Sequence, residues 1–177
     1  LEIEMPDKIV TKFTIGNRDG FDALLFISTA IAKEKFAGKI DDQGLQVYIN
    51  RNFNESELLK ELNSLSNQYL IVYVNDKPVG YAKVTSKGTR PTIFEGKTLA
   101  RIADFGVLEK HSDPLIRKAL FEKCLAISTA QQAVWISEYE NSPYLDFFES
   151  YGFKRSTDII APQELPLPPV YLVKEKI

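Results

Sequence analysis

The sequence is poor in the residues that most often carry metal and redox chemistry. It has one cysteine, Cys124, which excludes a disulfide within the chain and any cysteine-rich zinc site. One histidine, His111, leaves no set of imidazoles for a histidine-based centre, so no metal is expected. An excess of either charge is lacking too: 22 Lys and Arg stand against 24 Asp and Glu, a net charge of −2. That balance supplies no basic field to draw in nucleic acid or an anionic membrane, and neither partner is expected. The longest apolar runs, such as "YLIVYV" from Tyr69 to Val74, have the length of a strand and fall far short of the ~20 residues that span a bilayer. No signal-peptide pattern opens the chain, and Leu1 in place of methionine points to a trimmed start; a soluble cytoplasmic protein is the expectation.

What the sequence does have is the composition of a folded domain, 44% hydrophobic and 26% charged over 177 residues. A single domain over 1–177 is expected, long enough to bury about 70% of its accessible surface without staples.

"IVTKFTI", Ile9 to Ile15, alternates apolar and polar residues as a half-buried strand does. Phe21 to Phe36 carries apolar residues at helical spacing, broken at Gly38, and "GLQVYINRNF" reads as a short helix. Asn54 with Glu57 makes a capping-box-like start for a helix whose leucines 58, 59, 62 and 65 form one stripe. "QYLIVYV" and "VGYAKVTS" flank "NDKP" as a hairpin, and a loop from Lys87 to Lys97 follows. "TLARIADFGVL" is the next strand, with Gly106 signalling a bulge or a close backbone approach. Leu115 to Ser128 is a helix whose stripe Ile116, Leu120, Cys124 and Ile127 belongs to the core. "AVWISEY" is a strand, Ser142-Pro143 opens a short helix running to Tyr151, and Gly152 ends it. "FKRSTDII" and "VYLVKEK" form a final antiparallel pair around the extended, proline-rich "APQELPLPP". This order predicts an α/β sandwich: a mixed, mostly antiparallel sheet of about seven strands with helices on both faces.

The stretches "FNESELLKELNSLSNQYLIVYVNDKPVGYAKV" and "WISEYENSPYLDFFESYGFKR" carry a resemblance. Phe53 to Phe153 resembles the GNAT superfamily of acyl-CoA-dependent N-acyltransferases, most nearly its bacterial spermine/spermidine N-acetyltransferase group. The resemblance implies an acetyl-CoA co-substrate lying in a splay between the fourth and fifth strands. Phe105 and Val107 would then hold pantetheine through backbone groups, and Asn141 would contact the cofactor. It also implies a phosphate-binding turn of pattern Gln or Arg, two residues, Gly, one residue, Gly or Ala. Ser112, Leu115 and Arg117 occupy the three required positions, and none matches. Pro114 removes an N–H there, and Asp113 or Ser112 is expected to cap the helix in place of a phosphate. Lys110, His111, Arg117 and Lys118 surround the turn, either as solvated charges on an exposed helix start or as cations that replace the backbone donors.

Acyl transfer to an amine needs a base for the ammonium and an acid for the leaving thiolate. The family's acid is a tyrosine where this sequence has Phe148, which makes Tyr144, one turn earlier, the candidate acid and Tyr151 its rival. The family's glutamate on the central strand falls at Ala103; the neighbouring Asp104 replaces it if a bulge near Gly106 shifts the alternation. Glu138 and Tyr139 are further candidates. The expected function is a divergent acetyl-CoA-dependent N-acetyltransferase of a small primary amine, polyamine-like. The alternative is a GNAT-fold binding or regulatory protein without normal pyrophosphate binding. A homodimer through the end strands is a further expectation.

Overall fold

Alternation along Asn67–Val74 assigns the two faces of the sheet. Leu70, Val72 and Val74 enter one core, Tyr69 and Ile71 the other. The computed structural model describes residues 5–176; Leu1, on which the trimmed start rests, lies outside them. In chain order the elements are β1 (Ile9–Phe13), α1 (Arg18–Phe36), α2 (Asp42–Asn52), α3 (Glu55–Leu62), β2 (Asn67–Val74), β3 (Lys77–Thr85) and β4 (Leu99–Val107). There follow α4 (Pro114–Ile127), β5 (Ala133–Tyr139), α5 (Leu145–Ser150), β6 (Lys154–Ser156) and β7 (Pro169–Glu175). The strands form one sheet in the order β1-β2-β3-β4-β5-β7-β6. All neighbours are antiparallel except β4 and β5. Helices α4 and α5 cover one face, α1 and α3 the other. This is the mixed, helix-covered sheet that the sequence predicts. No helix among the described residues is long and apolar enough to cross a membrane.

The ends of elements differ from expectation where side chains cap them. Helix α1 starts at Arg18 rather than Phe21 because Asn17 Oδ1 accepts the Gly20 N–H at 2.8 Å. Helix α2 gains a first turn in the same way from Asp41, which accepts the Gly44 N–H. Asn54 caps α3 through the Glu57 N–H at 3.0 Å, as expected. The predicted leucine stripe is cut short, however. α3 ends at Leu62, the chain turns, and Leu65 falls in that turn with its side chain in solvent. Helix α5 starts at Leu145 rather than at Ser142-Pro143. Ser142 Oγ accepts the Tyr144 N–H instead, which leaves Tyr144 at the cap position.

Two features of β4 position the site. The bulge lies at Ala103, not at Gly106: Lys83 pairs with Asp104 and Val84 with Ile102, so Ala103 is the extra residue. Gly106 is instead the close approach. A Cβ there would stand 2.5 Å from Ile31 Cγ2, so α1 lies directly on the strand. Gly106→Ala should therefore destabilise the fold by about 1–3 kcal/mol. Gly16→Ala, where an added Cβ meets nothing within 4 Å, should stay within about 0.5 kcal/mol. Urea unfolding of the two variants measures both.

Candidate functional site

β4 and β5 are paired only from Leu99 to Ile102 and Ala133 to Ile136, after which they part. Backbone polar groups left in the opening need other partners. Side chains provide them. The Val107 N–H donates to Tyr144 Oη at 2.8 Å, and the Tyr144 hydroxyl donates to the Val107 carbonyl at 3.1 Å. Lys35 Nζ, from α1, donates to the Phe105 carbonyl at 3.1 Å and to Glu138 Oε2 at 2.9 Å. The Lys35 and Glu138 side chains are 9% and 1% exposed, so the pair is a buried ion bridge across the opening. Burial lowers the Lys35 pKa, but Glu138 and Asp104 outweigh that and hold the ammonium above the ordinary lysine value. Burial pushes the Glu138 carboxyl up, against the pull of Lys35.

Below the bridge lies a cleft whose two adjoining cavities measure about 140 and 390 Å³. They share Tyr48, Arg101, Ala103, Asp104 and Glu164. The bulge brings both Ala103 and Asp104 to this cleft, while Ile102 and Phe105 stay in the core behind it. The Asp104 carboxylate accepts a hydrogen bond from Tyr81. Five carboxylates (Glu57, Glu61, Asp104, Glu138, Glu164) line the two cavities against three cations (Lys35, Lys83, Arg101). Lys35 is tied to Glu138 and Lys83 to Glu61. Arg101 lies over the Trp135 ring at 4.7 Å and donates through Nε to Ser137 Oγ at 2.8 Å. Burial raises the phenols of Tyr48, Tyr69 and Tyr81, and Tyr139 to about 12, so all four are neutral hydroxyls at physiological pH. The cleft is thus acidic and walled by neutral aromatic hydroxyls.

The turn before α4 is closed by its own groups. Asp113 Oδ1 accepts the Leu115 N–H at 2.9 Å, the expected cap. Glu34 Oε2 accepts the Glu109 N–H at 2.9 Å. Leu115 is 57% exposed and Ser112 lies at the surface. Arg117 stacks over Phe147 at 4.7 Å, with its Nε enclosed and without a hydrogen-bond partner. Lys118 pairs weakly with Glu122 at 3.9 Å in solvent. Asn141 is exposed, its carbonyl accepting from Lys39 at 3.4 Å.

Of the residues singled out in the sequence, Tyr144, Asp104, Glu138, Phe105 and Val107 converge on the opening. Asn141 lines a small space beside Lys35 and Glu138 at its edge, Ser112, Leu115 and Lys118 do not reach it, and Arg117 stands aside on Phe147. Phe148 is wholly buried among Phe105, Phe121 and Tyr144. Tyr151 bonds to Glu122 on the outer surface. Cys124 is buried in the core, as expected. Lys35, Tyr81 and Arg101 are the residues that sequence reasoning missed. For Lys35 the signal was present: it continues the buried face of α1 that runs through Leu24, Ile27 and Ile31. A lysine on such a face requires a buried counter-charge.

Because its pKa is raised above 10.5, the Lys35 contribution to stability is whole below that value and is lost as pH climbs through the higher folded one. Lys35→Met, which leaves Glu138 unpaired, should cost about 3–5 kcal/mol at neutral pH. Denaturant unfolding across the alkaline range should show the gap from wild type narrowing above pH 10.5.

No protein-family model matches the chain. Solved structures do. The PaiA N-acetyltransferase of Thermoplasma acidophilum, solved in complex with coenzyme A, superposes with a TM-score of 0.75 at 14% identity, over 96% of this chain and 99% of that one. An acetyltransferase of Streptococcus agalactiae gives 0.64 at 18%, over 95% and 98%. A GNAT-family acetyltransferase of Staphylococcus aureus gives 0.61 at 16%, over 96% and 99%. At such identities the likeness is one of architecture, and the architecture of this chain is the GNAT fold.

Proposed function

We propose that the chain is an N-acyltransferase that moves an acetyl group from acetyl-CoA to a primary amine of a small cationic molecule, polyamine-like in its charge. The observation that carries this reading is the acidic, phenol-walled cleft that ends at the opening between β4 and β5, with Asp104 at their junction. A protonated amine is favoured in such a cleft by Coulomb attraction and by the aromatic faces. Asp104 takes the ammonium proton. The freed nitrogen attacks the thioester carbonyl, the C–S bond breaks, and the thiolate is protonated by Tyr144 once that hydroxyl has left Val107. That acetyl-CoA is the donor is supported by the fold and by the coenzyme A bound to the Thermoplasma protein.

The strand half of the donor site suits pantetheine, because the Phe105 and Val107 backbone groups on the side facing the opening are not paired to β5. The turn half suits a pyrophosphate less well, since Asp113 and Glu34 already hold the Leu115 and Glu109 amides. Those same bonds, with Tyr144 on Val107, favour a second reading: a binding or regulatory protein that keeps the fold without turnover.

Calorimetry with acetyl-CoA, followed by an amine panel, separates the two. Heat of binding and acetylation of diamines support the enzyme, and no heat at millimolar ligand removes it. Asp104→Asn should lower kcat about 10²-fold and raise the KM of the amine, with coenzyme A binding unchanged. Tyr144→Phe should tighten both coenzyme A and free pantetheine, about tenfold for the hydrogen bonds no longer in competition. Asp113→Asn, in contrast, should tighten coenzyme A alone, because pantetheine has no phosphate to repel.

A further inference from the structure

Lys35 is the one residue that two cavities beside the ion bridge have in common. One is the cleft cavity that holds Asp104, Glu138 and Tyr139. The other is a smaller space of about 60 Å³ bounded by Val107, Glu109 and Tyr144. Lys35 also lines a third, smaller space with Lys39, Glu138 and Asn141, so its amine is approached from more than one side. That amine is held against the Phe105 carbonyl and beside a carboxylate, and it is nearly sealed from bulk water. A primary amine, an adjacent proton acceptor and a dry setting are what acyl transfer asks of an acceptor. The chain supplies all three from its own residues.

We propose that Lys35 is a self-acylation site: its ε-nitrogen accepts an acyl group from a coenzyme A thioester that enters through the cavity beside Val107 and Tyr144. This rests on the transferase reading for its donor. In the step, Glu138 takes one proton from the Lys35 ammonium. The neutral amine adds to the thioester carbonyl, the C–S bond breaks as the C–N bond stays, and the second proton leaves with the thiolate as free thiol. Glu138 is left as an uncharged carboxylic acid beside an amide, a state that its burial favours. The groups that raise the proton affinity of Lys35 are Glu138 on β5, Asp104 on β4 and Tyr144 before α5, while Glu34 on α1 and Lys39 in the turn after it line the adjoining space. Each carboxylate among them holds the proton on, so the reaction must quicken as pH rises.

Exposure makes the test selective. Acylation from solution without a site takes exposed amines first, and Lys60, 74% exposed, should react long before Lys35, at 9%. The full chain is incubated with acetyl-CoA and, separately, with the acetyl thioester of a short thiol; intact mass and peptide mapping then locate the label. The expected result is one acetyl group per chain on Lys35 before Lys60 is touched. The rate should rise with pH into the lysine range and fall about a hundredfold in Glu138→Gln. Lys35→Arg, which keeps the charge, should abolish the label. Acetylation of an added amine with Lys35 unlabelled overturns the self-acylation and leaves the transferase standing. No label, no turnover and no heat with acetyl-CoA remove the transferase; the short thioester then judges Lys35 alone, and labelling confined to exposed lysines overturns the proposal. A rate independent of pH overturns it as well.

Discussion

Everything at this site follows from one constraint: two parallel strands separate inside a protein, and the peptide groups they abandon must be satisfied. An unpaired buried N–H or C=O costs about 1–3 kcal/mol, so an empty opening along β4 is not a stable state of the chain. Water, a ligand or side chains must take the place of the strand that left. Here side chains take it, Tyr144 on Val107 and Lys35 on Phe105. The opening is thus a potential binding surface and, in the same geometry, one already occupied. Any extended ligand laid along β4 exchanges hydrogen bonds with the protein rather than adding them.

The second condition is the distance at which α1 lies from the sheet. With no side chain at Gly106, Ile31 rests on the backbone of β4, and Lys35 follows one helical turn later at the height of the Phe105 carbonyl. A helix held further off would leave the lysine short of both carbonyl and carboxylate. The ion bridge is therefore a consequence of close packing. It is also a fragile one, because a buried pair gains little net stability when complete and loses much when either partner is removed. Its value lies in fixing where a charge stands in an apolar interior.

Most of the fold could be read from the sequence, because it is written in short-range patterns. Alternation in "QYLIVYV", helical spacing in Phe21–Phe36 and the Asn54 cap each act over a few residues, and the order of elements followed from them. The misplacements are equally physical. Leu65 has the spacing of a buried residue but lies past the end of its helix, and spacing alone does not mark where the chain turns. At Gly106 the sequence left a bulge and a close approach open, because the two look the same there; the structure shows the close approach, with the bulge at Ala103. The site was legible in part. Asp104 stands inside a strand, Glu138 near the end of one and Tyr144 at a helix start, all in elements that local reading reaches. Lys35 pairs with Glu138 across 103 positions of chain, and only the fold brings them together.

The two halves of the site differ in how they are prepared. On the proposed acceptor side, the hydroxyls are neutral, Tyr81 is held by Asp104 and the carboxylates outnumber the cations, so the field complements a cationic guest. On the proposed donor side, Tyr144 on Val107, Lys35 on Phe105 and Asp113 on Leu115 occupy the backbone groups that a ligand would use, so binding requires that they let go. If each such bond holds the closed form by about 1 kcal/mol, two of them reduce the open fraction about thirtyfold and weaken apparent affinity by the same factor. An intact GNAT architecture is therefore compatible with weak donor binding. The sequence departures at Asp113 and Leu115 and the bonds made by Tyr144 act in the same direction, one at the phosphate end of the ligand path and the other along the strand. On the proposed reading, a site built in this way would select its guest on the acceptor side and be limited in rate on the donor side.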